Sequence, residues 1–196
     1  MKTQLRPLFT VFALLMLITG VMYPLLVTGL AQLVFPAKAN GSLIQIKGQV
    51  MGSELIGQEF SGARSFWGRP SATSTNPYNA FDQVTLTASS GSNLGPLSQS
   101  LLERVQARVK ELKIADPLNS SLIPVDLVTA SASGLDPNIS VAAAYYQIPR
   151  IALARNLSEA EVTKLVTQYI EKRQFGVLGE ERVNVLKLNL ALEGIQ

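Results

Sequence analysis

Three short stretches carry residue types that could do chemistry. Gly68-Arg69-Pro70-Ser71 sets a guanidinium in a proline-stiffened turn directly after Trp67. Such an arginine could grip a carboxylate or phosphate with its planar fork, or stack on the indole as a structural clamp. Ser89 to Asn93, ending in Ser92 and Asn93, offers several backbone N–H groups close to an expected helix start. That suits an anion, and it suits a simple turn. Ser131 to Asp136 gathers Ser131, Ser133, Gly134 and Asp136 in one small-residue run, with Gln147 and Arg150 on the helix expected to follow. These polar groups suit a ligand or partner site, and equally a tight strand-to-helix junction.

Composition removes most catalytic alternatives. The 196 residues contain no His and no Cys. Without imidazole there is no Ser-His pair and no ordinary zinc ligand; without thiol there is no disulfide, thiolate metal site or Cys nucleophile. A cysteine-free chain also suits an oxidising compartment. No glycine-rich phosphate loop ending in Lys-Ser/Thr occurs, no Gly-x-Ser-x-Gly elbow, and no serine stands three residues before a lysine. The acids are dispersed, with no calcium-loop spacing. Asp126 and Asp136 could meet as an acid and base, but a chain with 14 acidic residues always offers such pairs. All the acids, and every basic residue except Lys2 and Arg6, follow Ala37, so the region beyond is nearly charge-balanced. It lacks the basic stripe of a nucleic-acid binder. The expectation is a chain without catalytic residues, without a metal and without nucleic acid.

The elements that must position these stretches begin with an apolar segment. Pro7 to Ala37 holds no charged residue, and at ~1.5 Å per residue residues 8–35 cross a ~30 Å hydrocarbon core. The division is then a short cytoplasmic N-terminus (1–7), a transmembrane helix (8–35) and a soluble domain (36–196). Ala37-Lys38-Ala39 has the form of a signal-peptidase site, but the apolar run is nearly twice the ~7 to 15 residues of a cleaved signal, which favours an uncleaved anchor. Lys2 and Arg6 place the N-terminus inside and the domain outside, with Lys38 and Lys47 weakening the asymmetry. Pro24 lacks an N–H and predicts a kink or loosened turn. Gly20, Pro24 and Gly29 would let this helix pack closely on partner helices.

Beyond the anchor, residues 40–60 read as short strands or a hairpin turning at Lys47-Gly48. Residues 62–93 form a long irregular connection whose aromatic residues argue for order. A helix is predicted over 97–114, with Ser100 and Glu103 at capping-box spacing, ending at Asp116-Pro117. Residues 124–129 resemble a buried strand. Ser140 can cap a helix that Pro149 interrupts, and Ser158 with Glu161 opens the clearest amphipathic helix, with Val162, Leu165, Val166, Tyr169 and Ile170 on one face. Val183 to Leu192 fits a strand or a helix. The fold class expected is one N-terminal transmembrane helix followed by a single mixed α+β extracytoplasmic domain.

Ordered motifs then carry a resemblance: Tyr23-Pro24-Leu25, Asn40-Gly41-Ser42-Leu43-Ile44, Gly57-Gln58 before Phe60, Gly68-Arg69-Pro70-Ser71-Ala72, Ser90-Gly91-Ser92-Asn93-Leu94, Val128 to Asp136, and Gln147-Ile148-Pro149-Arg150. In order and spacing the chain resembles the KdpC family, C subunits of the bacterial high-affinity potassium-transporting ATPase, over nearly its whole length. The resemblance implies a single-pass inner-membrane subunit with an outer domain. Its partners would be the ATP-hydrolysing P-type subunit, the channel-like potassium-translocating subunit and a small single-helix subunit. It implies an assembly factor and catalytic chaperone that raises the ATP affinity of the hydrolysing subunit, with no tightly bound cofactor and ATP met through the complex. Nucleotide contact would map to Ser131, Ser133, Gly134, Asp136 and Gln147; partner or anion contacts to Trp67, Arg69, Ser92, Asn93 and Arg150. Trp67 departs from the family, whose members commonly carry His before Gly-Arg-Pro-Ser. The alternative is an anchored extracytoplasmic enzyme or solute-binding module using Arg69, Ser131 and Asp136.

Overall fold

The computed structural model describes residues 2–73, 77–79, 81–83 and 87–194. The chain divides into two compact units, 1–43 and 44–196. In the first, helix α1 (Lys2–Leu17) runs through a π-turn (Ile18–Met22) into α2 (Tyr23–Val34), and a short α3 (Pro36–Ala39) follows. Residues Gln4–Val34 form one helix long and apolar enough to cross a membrane. Helical backbone thus begins before Pro7, ahead of the apolar stretch. The loosened turn expected from Pro24 is the π-turn: the Tyr23 N–H donates to the Ile18 carbonyl, five residues back.

The second unit is a mixed helix and sheet domain. Strands β1 (Leu43–Ile46) and β2 (Gln49–Ser53) make a hairpin. Its turn residues Lys47 and Gly48 both have positive φ, 51° and 79°, matching the right-handed twist of paired strands. The irregular connection contains one small antiparallel pair, β3 (Phe81–Asp82) with β4 (Thr87–Ala88); residues 74–76, 80 and 84–86 of it lie outside the described residues. Helix α4 (Gln99–Ala115) starts at Ser98, not at the predicted Ser100 capping box, because the chain leaves the Gly95 turn already extended at Ser98. It ends at Asp116, before Pro117.

Residues 124–129 are corrected from a strand to a 3-10 turn, Val125–Leu127. Asp126 bends back there to accept the Ser140 N–H at 2.7 Å, a contact an extended strand would not allow. Strand β5 (Asn138–Ser140), helices α5 (Val141–Tyr146), α6 (Ile148–Arg155) and α7 (Glu159–Gln168), strands β6 (Ile170–Glu171) and β7 (Arg182–Asn184), and helix α8 (Val185–Leu192) complete the fold. Pro149 opens α6 where its missing N–H costs nothing. Ser158 and Glu161 form the predicted capping box. The ambiguous run 183–192 is divided: β7 ends at Asn184, whose side chain accepts from the Lys187 N–H and starts α8.

The sheet order is β5-β7-β6, antiparallel throughout. Its register aligns Ile139, Val183 and Ile170, so one face meets the core of Phe66, Leu127, Ile151, Val162, Val166 and Leu188.

Candidate functional site

The three polar stretches meet around Arg69. Its guanidinium donates to Asp136 Oδ2 at 3.3 Å and to the carbonyls of Ala130 at 3.2 Å and Thr129 at 3.5 Å. One arginine thereby ties the Gly-Arg-Pro-Ser turn to the 129–136 loop. Ser71 Oγ reinforces the junction by donating to the Gly134 carbonyl at 2.7 Å, while accepting the Tyr78 N–H at 2.9 Å. The Tyr78 hydroxyl donates to the Arg69 carbonyl at 2.5 Å. Burial pushes its pKa up to about 12 against the pull of the nearby Arg108 charge. Ser89 Oγ donates to the Ser133 carbonyl at 2.9 Å, bringing the third stretch alongside.

Glycine makes these approaches possible. A Cβ on Gly91 would stand 2.7 Å from the Ala132 carbonyl oxygen, and one on Gly57 or Gly68 would enter the Tyr78 ring or hydroxyl at 2.3 and 2.5 Å. Gly134, at φ +68°, is held to glycine by conformation and by the Ser90 carbonyl, 2.7 Å from where its Cβ would be.

Arg69 lines three open clefts. One of about 570 Å³ runs toward Asp126, Ser140 and Arg182; one of about 560 Å³ toward Ser71, Tyr78 and Arg108; a third, also about 560 Å³, runs along Ser131, Ser133 and Asp136. Asp136 faces Arg69 with one oxygen and accepts the Asn138 N–H with the other. Asp126, which lines the first cleft with Asp136, Glu180 and Glu181, is committed to Ser140. Ser92 and Asn93 lie past the Gly91 crossing, in the loop that leads to the start of α4 at Gln99. Among the described residues no grouping of carboxylates could hold a metal ion.

Residues 5–194 match the family model described as KdpC, the c chain of the K+-transporting ATPase. The chain belongs to the KdpC family. Proteins named Potassium-transporting ATPase KdpC subunit are similar along its whole length: one from Dechloromonas aromatica is 56% identical, covering 100% of this chain and 99% of its own. Another from Methylibium petroleiphilum is 59% identical, covering 99% and 98%, and one from Methylococcus capsulatus is 57% identical over the full length of both.

In this KdpC-family chain a second, buried layer holds the Arg69 turn in place. The Gln147 side chain, 1% exposed, pairs with the Trp67 backbone like a neighbouring strand: Oε1 accepts the Trp67 N–H at 2.7 Å and Nε2 donates to the Trp67 carbonyl at 3.1 Å. Asn189 does the same for Phe66, at 2.8 and 3.0 Å. Gln147 also donates to the Ala143 carbonyl and accepts from Arg150, which fills its hydrogen-bonding capacity. Its side chain therefore holds the loop.

Arg150 likewise serves the fold, donating to the carbonyls of Gly62, Ala63 and Ser65. Burial lowers its pKa to about 10, which leaves it protonated at neutral pH. The arginines over the Trp67 ring are Arg108 and Arg150, at 4.9 and 4.7 Å from its centre, whereas Arg69 turns to Asp136. The clamp expected of Arg69 thus belongs to other residues. Sequence reasoning overlooked Arg108 and Asn189, and took Tyr78 only as one of the aromatic residues that argue for order in the connection. Asn189 left a signal, as a polar residue between Leu188 and Leu190.

Proposed function

We propose that this KdpC-family chain is the non-catalytic accessory subunit of an ATP-driven potassium uptake complex, anchored in the bacterial inner membrane by residues 4–34. In this reading the N-terminus is cytoplasmic and the α+β domain extracytoplasmic. The chain takes part in assembly and raises the ATP affinity of the P-type, ATP-hydrolysing subunit; the channel-like and single-helix subunits are its further partners. The observation that carries the reading is the family match over residues 5–194, which takes in anchor and domain together.

The site supports a binding surface over a reactive centre. Asp136, Asp126, Gln147 and Arg150 are committed to the chain's own groups. What lines the open clefts is a set of polar loops tied together around Arg69. ATP is cytoplasmic and the proposed domain is not, so coupling to ATP affinity runs through subunit contacts, with differential packing in the pump's states as the source of free energy. Direct nucleotide contact at Ser131, Ser133, Gly134, Asp136 and Gln147 is the weaker variant of the same reading.

Protease treatment of intact spheroplasts tests the sidedness: the domain is expected to be digested from outside, and full protection would refute it. Omitting the chain from the purified complex should raise the KM for ATP. An unchanged KM would remove the chaperone role.

A further inference from the structure

The π-turn leaves a polar gap in the middle of the apolar helix. The Tyr23 N–H is committed to the Ile18 carbonyl, and Pro24 has no N–H to give. The Thr19 carbonyl therefore has no donor four or five residues ahead, and the Gly20 carbonyl has none four ahead. The Thr19 hydroxyl cannot answer, because it donates to the Leu15 carbonyl at 2.7 Å. Thr19 stands midway along the Gln4–Val34 span. At that depth hydrocarbon supplies no donor, and an unpaired carbonyl costs several kcal/mol.

The surroundings narrow what can fill the gap. Leu15, Met16, Leu17, Val21 and Met22 offer no polar path for water, and nothing lies within 4 Å of the Gly20 Cβ position. A second copy of this chain would bring Thr19 to the same depth, with its hydroxyl already in use. We propose that a transmembrane helix of another subunit of the potassium-transporting complex seats against Gly20 and donates a side-chain hydrogen bond to the Thr19–Gly20 carbonyls. Its donor is an uncharged hydroxyl, carboxamide or indole N–H. Gly20 supplies the close approach and Pro24 exposes the acceptor. This rests on the reading that residues 4–34 cross the membrane within that complex.

The test uses the full complex. Gly20→Leu closes the approach, and Pro24→Ala returns an N–H to the Gly20 carbonyl without adding bulk. Both should remain in membranes washed with alkaline carbonate. Recovery with the other subunits should fall about tenfold or more for Gly20→Leu, and about three- to twentyfold for Pro24→Ala. A photo-crosslinking residue at Met16, one turn from Gly20, should join this chain to another subunit, whereas one at Val11 on the opposite face should not. Wild-type recovery of both variants overturns the proposal, as do Met16 adducts with lipid alone or with a second copy. Release of the wild-type chain by carbonate would instead overturn the membrane-crossing reading, and the proposal with it.

Discussion

Gly57→Ala should destabilise the domain through Tyr78. The added Cβ would lie 2.3 Å from Tyr78 Cε1, 2.6 Å from Cδ1 and 2.8 Å from the Asp136 carbonyl oxygen. The ring cannot swing aside freely, because its hydroxyl is bonded to the Arg69 carbonyl and its own N–H to Ser71. Overpacking costs ~1–3 kcal/mol, and the displaced hydrogen bond adds ~1 kcal/mol. The expected loss is therefore about 2–4 kcal/mol, which at a urea slope of ~2 kcal/mol/M lowers the midpoint by about 1–2 M. Trp67 is the only tryptophan and is buried, so its fluorescence reports the transition. In a Tyr78→Ala background the same substitution should cost clearly less, since the two shortest contacts, both with the Tyr78 ring, are gone. Gly62→Ala, with nothing within 4 Å, serves as the neutral control. Equal costs in the two backgrounds would refute the argument.

Gln147→Ala and Asn189→Ala each strip both partners from one residue's buried backbone, and each should cost about 2–4 kcal/mol in the same urea assay. Tyr78→Phe should flatten alkaline destabilisation. With its pKa raised from 10 to about 12, Tyr78 contributes stability that is complete below pH 10 and is lost as pH rises through 12, amounting to about 2–3 kcal/mol. The difference between wild type and variant across that window measures it. Ser158→Ala removes the capping box and should cost about 1 kcal/mol at neutral pH. Because bonds from Ser158 hold the Glu161 pKa below its usual value, that difference should shrink as pH falls through the Glu161 pKa.

Local signals were legible where local chemistry decides the structure. The Lys47-Gly48 turn, the Ser158–Glu161 box and the Pro149 break each depend on a few adjacent residues, and each stands where the sequence places it. The 3-10 turn at Val125–Leu127 did not show, because Asp126 takes its partner from Ser140, fourteen residues on. The site showed as three separate stretches and not as one. Arg69 and Asp136 are 67 positions apart, and no periodicity encodes their meeting. Glycine was the indirect clue: Gly57, Gly68, Gly91 and Gly134 stand where a Cβ would strike another segment, which a sequence displays only as glycine itself.

Trp67 shows what its position requires. Two guanidiniums lie within 5 Å of its ring centre, and Arg150 is almost wholly buried. An indole face attracts both cations, and its N–H, which donates to the Gly62 carbonyl, does not titrate as an imidazole does. Trp67→His would put an imidazole between the same charges. Both the charges and the burial disfavour imidazolium, so its pKa should fall below the ordinary ~6.5. The chain has no other histidine, so the imidazole proton resonance can be followed alone in an NMR titration. A raised pKa would mean that a carboxylate reaches the position and that proton chemistry belongs there. A lowered one would mean that His and Trp share a single role, giving two arginines a neutral aromatic face and thereby fixing the turn that presents Arg69.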